Sequence, residues 1–315
     1  MSRRERSRSL WILALLVCFV MGGVAHPIKA QEIDVLDPIE DLDFDDPEAW
    51  AMKFFTSVSL LTGIGSATEH TGGEVALGLE VLSVPHLDRE QRTVGFGGFK
   101  EEDLNRTPAW ARLRGEIGLG SGWGLVVGWV PPVKVDGVEA DLWSLGLEKV
   151  LWRGDRWGLG LRAYGQTGDV QGDFTCTEGG DELFPPGSPE NPFGCESPSS
   201  DQITMDYLGA ELVVTYSPLG GKNGRTPEIH GGISFNHLDM EFQVDAETFG
   251  FRDRSLLRAD GDAMGFAAGA TWQIGSKGSL GGEIFYSPLD VRRSGEQVES
   301  DDLLHLRLLW RWRVR

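Results

Sequence analysis

Charged side chains of both signs recur at alternate positions through several short stretches of this chain. Arg112, Arg114 and Glu116 are spaced by two, and Arg307 and Arg311 keep one parity within LLHLRLLWRWRVR. Lys53, Glu80, Glu148, Arg162, Glu211 and Glu283 hold corresponding places elsewhere. A spacing of two sets side chains on one face of a β-strand. Left unpaired, such belts would filter solutes by charge; paired, they would satisfy one another inside a fold. Two other groups could do chemistry. Cys176 and Cys195 could form a disulfide or ligate metal, but zinc needs four ligands and no close Cys or His pair accompanies them. His230, Ser234 and Asn236 share one parity, yet a Ser and His four apart on a strand are separated by about 13 Å, too far for a nucleophile and its base. No catalytic residue is assigned, and no metal or cofactor is expected. GLGSGWG at 118–124 joins two strands and reads as a hairpin, and LGGKNG lacks the spacing of a phosphate-binding loop.

The elements that position these residues are read from a period of two in segments of about ten residues, separated by turn chemistry. Val75, Leu77, Leu79 and Val81 oppose Glu74, Ala76, Gly78 and Glu80; Leu304, Leu306, Leu308, Trp310 and Trp312 oppose His305, Arg307, Arg311 and Arg313. Placing strands at 51–65, 73–85, 92–100, 108–119, 123–135, 140–152, 157–168, 203–217, 228–244, 262–274, 279–291 and 303–315 gives twelve, with ten to fourteen compatible. The longest links, 169–202, 245–261 and 292–302, then fall at one end, and the tight turns 120–122, 153–156 and 275–278 at the other. A soluble β-sandwich also alternates. Three features favour lipid outside: an apolar face free of central charge in the clearest strands, aromatic rings such as Trp123, Trp152, Trp157 and Trp272 at segment ends, and the alternation of link lengths. Glycine at 43 of 315 residues has neither a collagen period nor a linker's low complexity, so it lies within folded structure.

The N-terminus indicates export. Arg3, Arg4, Arg6 and Arg8 precede the apolar run Leu10 to Ala25, with Ala30 at a cleavage-compatible site, so 1–30 reads as a signal peptide. Its removal takes away five bases and one acid, leaving 24 basic against 47 acidic side chains and a net charge of −23, which repels nucleic acid. In an exported chain Cys176 and Cys195 are expected to pair, closing a Pro- and Gly-rich loop. Residues 31–50 hold nine acids and no base, and read as a solvated periplasmic tail that could alternatively dock in a lumen; calcium binding there has no defined loop.

With its signal peptide and terminal strand LLHLRLLWRWRVR, the chain resembles Gram-negative outer-membrane β-barrel proteins over 51–315. The resemblance implies an all-β, antiparallel up-and-down transmembrane barrel in the outer membrane, with both termini periplasmic. It implies contact with outer-membrane lipid and lipopolysaccharide, and with insertion machinery and periplasmic chaperones during biogenesis. Members usually end on an aromatic residue; here Trp312 is followed by Val314 and Arg315. The expected function is a monomeric passive channel for small polar solutes, with Lys53, Glu80, Arg112, Arg114, Glu116, Glu148, Arg162, Glu211, Glu283, Arg307 and Arg311 lining the pore. The alternatives are a closed structural or adhesive barrel presenting the disulfide-bearing loop, and a lipid-modifying hydrolase.

Overall fold

A computed structural model describes residues 38–62, 64–65, 71–218, 226–293 and 297–314. The signal peptide and residues 31–37 of the acidic tail lie outside the described residues. Ten antiparallel strands close on themselves: β1 (Val75–Ser83), β2 (Ala109–Gly120), β3 (Trp123–Val130), β4 (Glu139–Arg153), β5 (Trp157–Gly172), β6 (Asp201–Tyr216), β7 (Glu228–Gln243), β8 (Leu256–Ile274), β9 (Gly278–Ser287) and β10 (Leu303–Arg313). Each pairs with its neighbours in sequence, and β10 closes the ring on β1, so the barrel leaves no open edge. The short turns after β2, β4 and β8 lie at one end. The long links 173–200, 244–255 and 288–302 lie at the other, as the segment lengths predict, and are joined there by 84–108, where a strand was expected.

The outer face is apolar. On β10 the exposed positions run from Leu304 through Leu306, Leu308 and Trp310 to Val314. At about 3.3 Å per residue and a tilt near 40°, that run gives a belt about 25 Å tall, the height of the apolar band on membrane-spanning β-barrels. Trp123, Trp152, Trp157, Trp272 and Trp312 are exposed near the short-turn end, as expected of an interfacial girdle. Among the described residues no helix is long and apolar enough to cross a membrane; strands do the crossing.

Two expected strands are absent from the barrel. The first, 51–65, is replaced by helix α1 (Pro47–Val58) and a non-strand run through 59–62 and 64–65. Pro47 opens the helix with its fixed φ, Glu48 lies in the first turn, and Ala49 and Ala51 are strong helix formers. Apolar side chains surround the helix, and Trp50, Phe54 and Val58 are all buried, which marks an enclosed helix. The alternation at Met52, Phe54, Val58 and Leu60 is a by-product of burial on nearly every side, which takes in Lys53, Thr56 and Ser57 as well.

The other missing strand, 92–100, becomes two single helical turns, Arg89–Arg92 and Gly95–Gly98. Asp88 and Gln91 form a capping box on the first turn, while Phe96 (φ 52°) and Gly97 (φ 70°) take left-handed conformations that end any strand. Losing two strands keeps the count even.

The consequence for the chain path is large. Residues Ile39–Asp41 pair in parallel with Leu256–Arg258, where β8 begins at the long-link end. Trp50 Nε1 donates to the Asp301 carbonyl at 3.1 Å, seating α1 at the same end. Residues 59–62 and 64–65 lie inside the barrel against the inward arginines, and Gly73 N–H donates to the Gly118 carbonyl (2.9 Å) beside the β2–β3 turn. Pro38 and Arg313, the last residue of β10, therefore lie at opposite ends of the barrel, whereas a strand at 51–65 would have put both at the same one.

Candidate functional site

Register explains how the inward charges meet. Glu80 stands directly opposite Arg112, Arg162 opposite both Glu148 and Glu211, and Glu283 opposite Arg307. Opposed charges at cross-strand positions attract, and in this closed interior they are almost entirely out of solvent. Glu80 Oε2 bridges Arg114 at 3.2 Å and Arg112 at 3.5 Å. Arg162 reaches Glu148 at 2.8 Å and Glu211 at 3.1 Å, and Arg311 reaches Glu116 at 2.8 Å. Arg307 Nη1 lies 4.0 Å from Glu283, and its guanidinium covers the Phe285 ring at 4.0 Å from the centroid.

Further guanidinium donors go to the end of α1 and the segment that follows it. Arg112 donates to the Ser59 carbonyl, Arg114 to that of Thr62 (3.4 Å) and Arg162 to that of Gly65 (3.4 Å). Arg307 donates to the carbonyls of Leu60 (3.2 Å) and Ser57 (3.4 Å) and to the Thr62 hydroxyl. Leu61 N–H donates to the Tyr207 hydroxyl at 2.6 Å, and that hydroxyl donates to the Ser59 carbonyl at 3.1 Å. Gln166 Nε2 donates to Ser59 Oγ at 2.9 Å and to the Met205 carbonyl. An unpaired strand buried inside a barrel would leave its backbone groups orphaned; here the wall's arginines, Tyr207 and Gln166 supply partners. The belts thus hold an internal plug.

Of the residues expected to line a pore, ten sit on the barrel wall facing this plug. The eleventh, Lys53, is on α1 itself: its Nζ donates to the Asp290 carbonyl at 2.8 Å and lies 4.3 Å from the Phe44 ring centroid. Gln166, Tyr207 and the plug residues Ser59 and Thr62 escape a reading that looks for charge. Gln166 and Tyr207 do share inward parity on their strands, which was the available signal.

Inward glycines let side chains reach across a whole strand. His230, Gly269 and Glu283 are successive cross-strand partners on β7, β8 and β9, and His230 Nε2 lies 3.1 Å from Glu283 Oε2. A Cβ on Gly269 would come within 2.7 Å of His230 Nε2 and 2.2 Å of the Gly282 carbonyl. Gly209 plays the same part between Tyr164 and Asn236, whose Oδ1 accepts from the Tyr164 hydroxyl at 2.7 Å. Ser234 is buried and accepts from Asn236 Nδ2 at 3.2 Å, while His230 is committed to Glu283. Ser234 and His230 are therefore not joined as nucleophile and base.

The long-link end is built differently. Cys176 and Cys195 are joined by a disulfide. Buried Asp201 accepts from the backbone N–H groups of Thr175 (2.7 Å) and Asp245 (3.0 Å), tying 173–200 to 244–255. Asn191 donates to the carbonyls of Phe184 and Cys195 and accepts from Cys195 N–H, fixing the fold of the disulfide loop. An open cleft of about 450 Å³ nearby is lined by Asp103, Asn105, Arg106, Asp136, Asp173 and Glu178, with Arg106 already bound to Asp103 and Asp173. Asp43, Asp45 and Asp46 bring one oxygen each within 4.8 Å of one another, the one acidic group among the described residues compact enough for a cation, and Arg292 takes both oxygens of Asp45.

A closed antiparallel barrel with an apolar belt, an aromatic girdle and a polar interior has the architecture of an outer-membrane β-barrel. No family model matches the chain, and no curated protein matches its sequence. Similar solved structures include the attachment invasion locus protein Ail of Yersinia pestis (9% identity over 77% of this chain and 99% of that one, TM-score 0.29). They also include the outer membrane protease OmpT from Escherichia coli (8%, 76% and 94%, TM-score 0.37). A third is the toluene transporter TodX from Pseudomonas putida (11%, 89% and 78%, TM-score 0.31). At these scores they transfer no activity.

Proposed function

We propose that this protein is a closed outer-membrane barrel, plugged by its own N-terminal segment, that presents the disulfide-bearing loop end outward as a binding surface. One observation carries the reading: Arg112, Arg114, Arg162 and Arg307 spend donors on carbonyls of the internal segment between Ser57 and Gly65. Charges arranged to select a passing solute would keep those donors for it. The passive channel, the first expectation from the sequence, is the reading this observation disfavours.

The test is planar-bilayer conductance of the folded mature protein. The intact protein is expected to give no discrete steps, and a variant lacking 38–65, verified as folded by its heat-modifiable gel mobility, to give them. Regular steps from the intact protein would overturn the proposal, whether or not the deletion folds.

A further inference from the structure

We infer that the crown formed by the disulfide loop and its neighbours binds a cationic polypeptide carrying apolar side chains. The inference rests on the closed-barrel reading for its biological setting and on three observations for its chemistry.

The first is an exposed aromatic surface gathered around residues 183–195. Phe96 stacks on Phe193 with centroids 5.2 Å apart, and Phe249 lies across Gly194, where a Cβ would come within 2.5 Å of the ring. Phe249 N–H donates to the Gly194 carbonyl at 3.0 Å, and Asn191 ties Phe184 into the same turn. Leu183 is 69% exposed, Phe96 55%, Phe249 52% and Phe184 45%. Rings held at the surface in this way are the usual anchors of a protein interface.

Charge is the second. Residues 173–200 contain six acids and no base. Among the described residues, Glu178, Asp181, Glu182, Glu190 and Glu196 form no ion pair, while Glu247 faces Arg252 across a short strand pair. Two nearby cations are engaged within the crown: Lys100 Nζ donates to Glu102 at 2.9 Å and to the Thr175 carbonyl, and Arg252 is closed on Asp245 at 2.6 Å. The resulting negative field disfavours a second copy of the crown and an anionic lipid surface, and attracts a basic segment.

The third is preorganisation. The disulfide, the Asp201 and Asn191 hydrogen bonds and the exposed prolines Pro185, Pro186, Pro189 and Pro192 fix the loop before any partner arrives. Less conformational entropy is then lost on binding. Carboxylates beside fixed rings suit lysine or arginine side chains interleaved with aliphatic or aromatic ones.

The experiment uses the intact mature protein in phosphatidylcholine nanodiscs, with empty discs subtracted, and three synthetic peptides: alternating Lys–Leu, alternating Glu–Leu and alternating Lys–Gly. The Lys–Leu peptide is expected to bind about tenfold or more tightly than either other, and to weaken as salt is raised. Replacing Glu178, Asp181, Glu182 and Glu190 by Gln, or Leu183, Phe184 and Phe249 by Ser, should each weaken it by about tenfold. Equal affinity for the Glu–Leu peptide, unchanged affinity in both folded variants, or no binding would overturn the inference. The salt and peptide comparisons on the unmodified protein decide it even if a variant fails to fold. No binding together with a silent bilayer record removes the crown site and leaves the closed barrel standing; binding by a conducting barrel does the reverse.

Discussion

Charge is used in opposite ways at the two levels of this barrel. In the lumen, Glu80, Arg112, Arg162, Glu211 and Arg307 are out of solvent and paired across strands or onto the plug. At the crown, Glu178 and Glu190 of the disulfide loop are exposed, Asp181 and Glu182 are half-buried, and none of them pairs with a cation among the described residues. A buried charge without a partner costs several kcal/mol, whereas an exposed one costs almost nothing. The lumen charges are thus committed to holding the structure, and those of the crown remain available to something outside it.

The sharpest way to break this contrast is to remove one carboxylate from each level. Glu80→Ala leaves two buried guanidiniums without their shared acceptor and is expected to cost about 3–5 kcal/mol. Glu190→Ala at the crown should stay within about 0.5 kcal/mol of the parent. Urea titrations followed by the heat-modifiable gel shift read both, and similar losses at the two sites would erase the distinction.

Next in size is the disulfide. Cys176→Ser with Cys195→Ser releases a loop closed over a sequence separation of 19. The chain-entropy account gives about 3 kcal/mol for such a loop. That loss belongs to the crown alone, so protease nicking within 177–194 should rise while the barrel's gel shift is unchanged. A parallel loss of barrel stability would mean that the two levels are coupled.

The smallest effect is a pH dependence at the base of the crown. Burial pushes the Glu102 carboxyl up to about 8 from an ordinary 4.5, although Lys100 lies 2.9 Å away. Between those values the folded form holds the extra proton, so this contribution to stability is full at low pH and is lost as pH rises through about 8. Proteolysis within 84–108 should accelerate as pH is raised over that interval, and Glu102→Gln should flatten the slope. A slope that persists in the variant would assign it to another group.

Much of the barrel was legible because its strands obey one rule: apolar residues meet lipid and the others face inward, so a period of two survives in the sequence. The outward face must be apolar where it crosses the lipid belt, as Leu304, Leu306 and Leu308 show, and is free to carry charge beyond it, as His237, Asp239, Asp260 and Asp262 do near the long-link end of β7 and β8. The rule fails at 51–65 because Trp50, Met52, Phe54 and Val58 are buried together with Lys53, Thr56 and Ser57, so no lipid-facing side sets the period there. At 92–100 three glycines permitted a tight left-handed path that periodicity does not register.

What the sequence by itself determined is the alternation, the ends at which long and short links fall, the pairing of the two cysteines and the inward parity of the charges. All are local properties, set by residue type and spacing. Only the tertiary structure decided what those charges face. Arg112 and Ser59, or Arg307 and Leu60, meet across 53 and 247 residues of chain, and their bond depends on ring closure bringing the wall around the plug. Whether a guanidinium lines a channel or holds a segment in place depends on that long-range geometry, since the side chain and its parity are the same in either case.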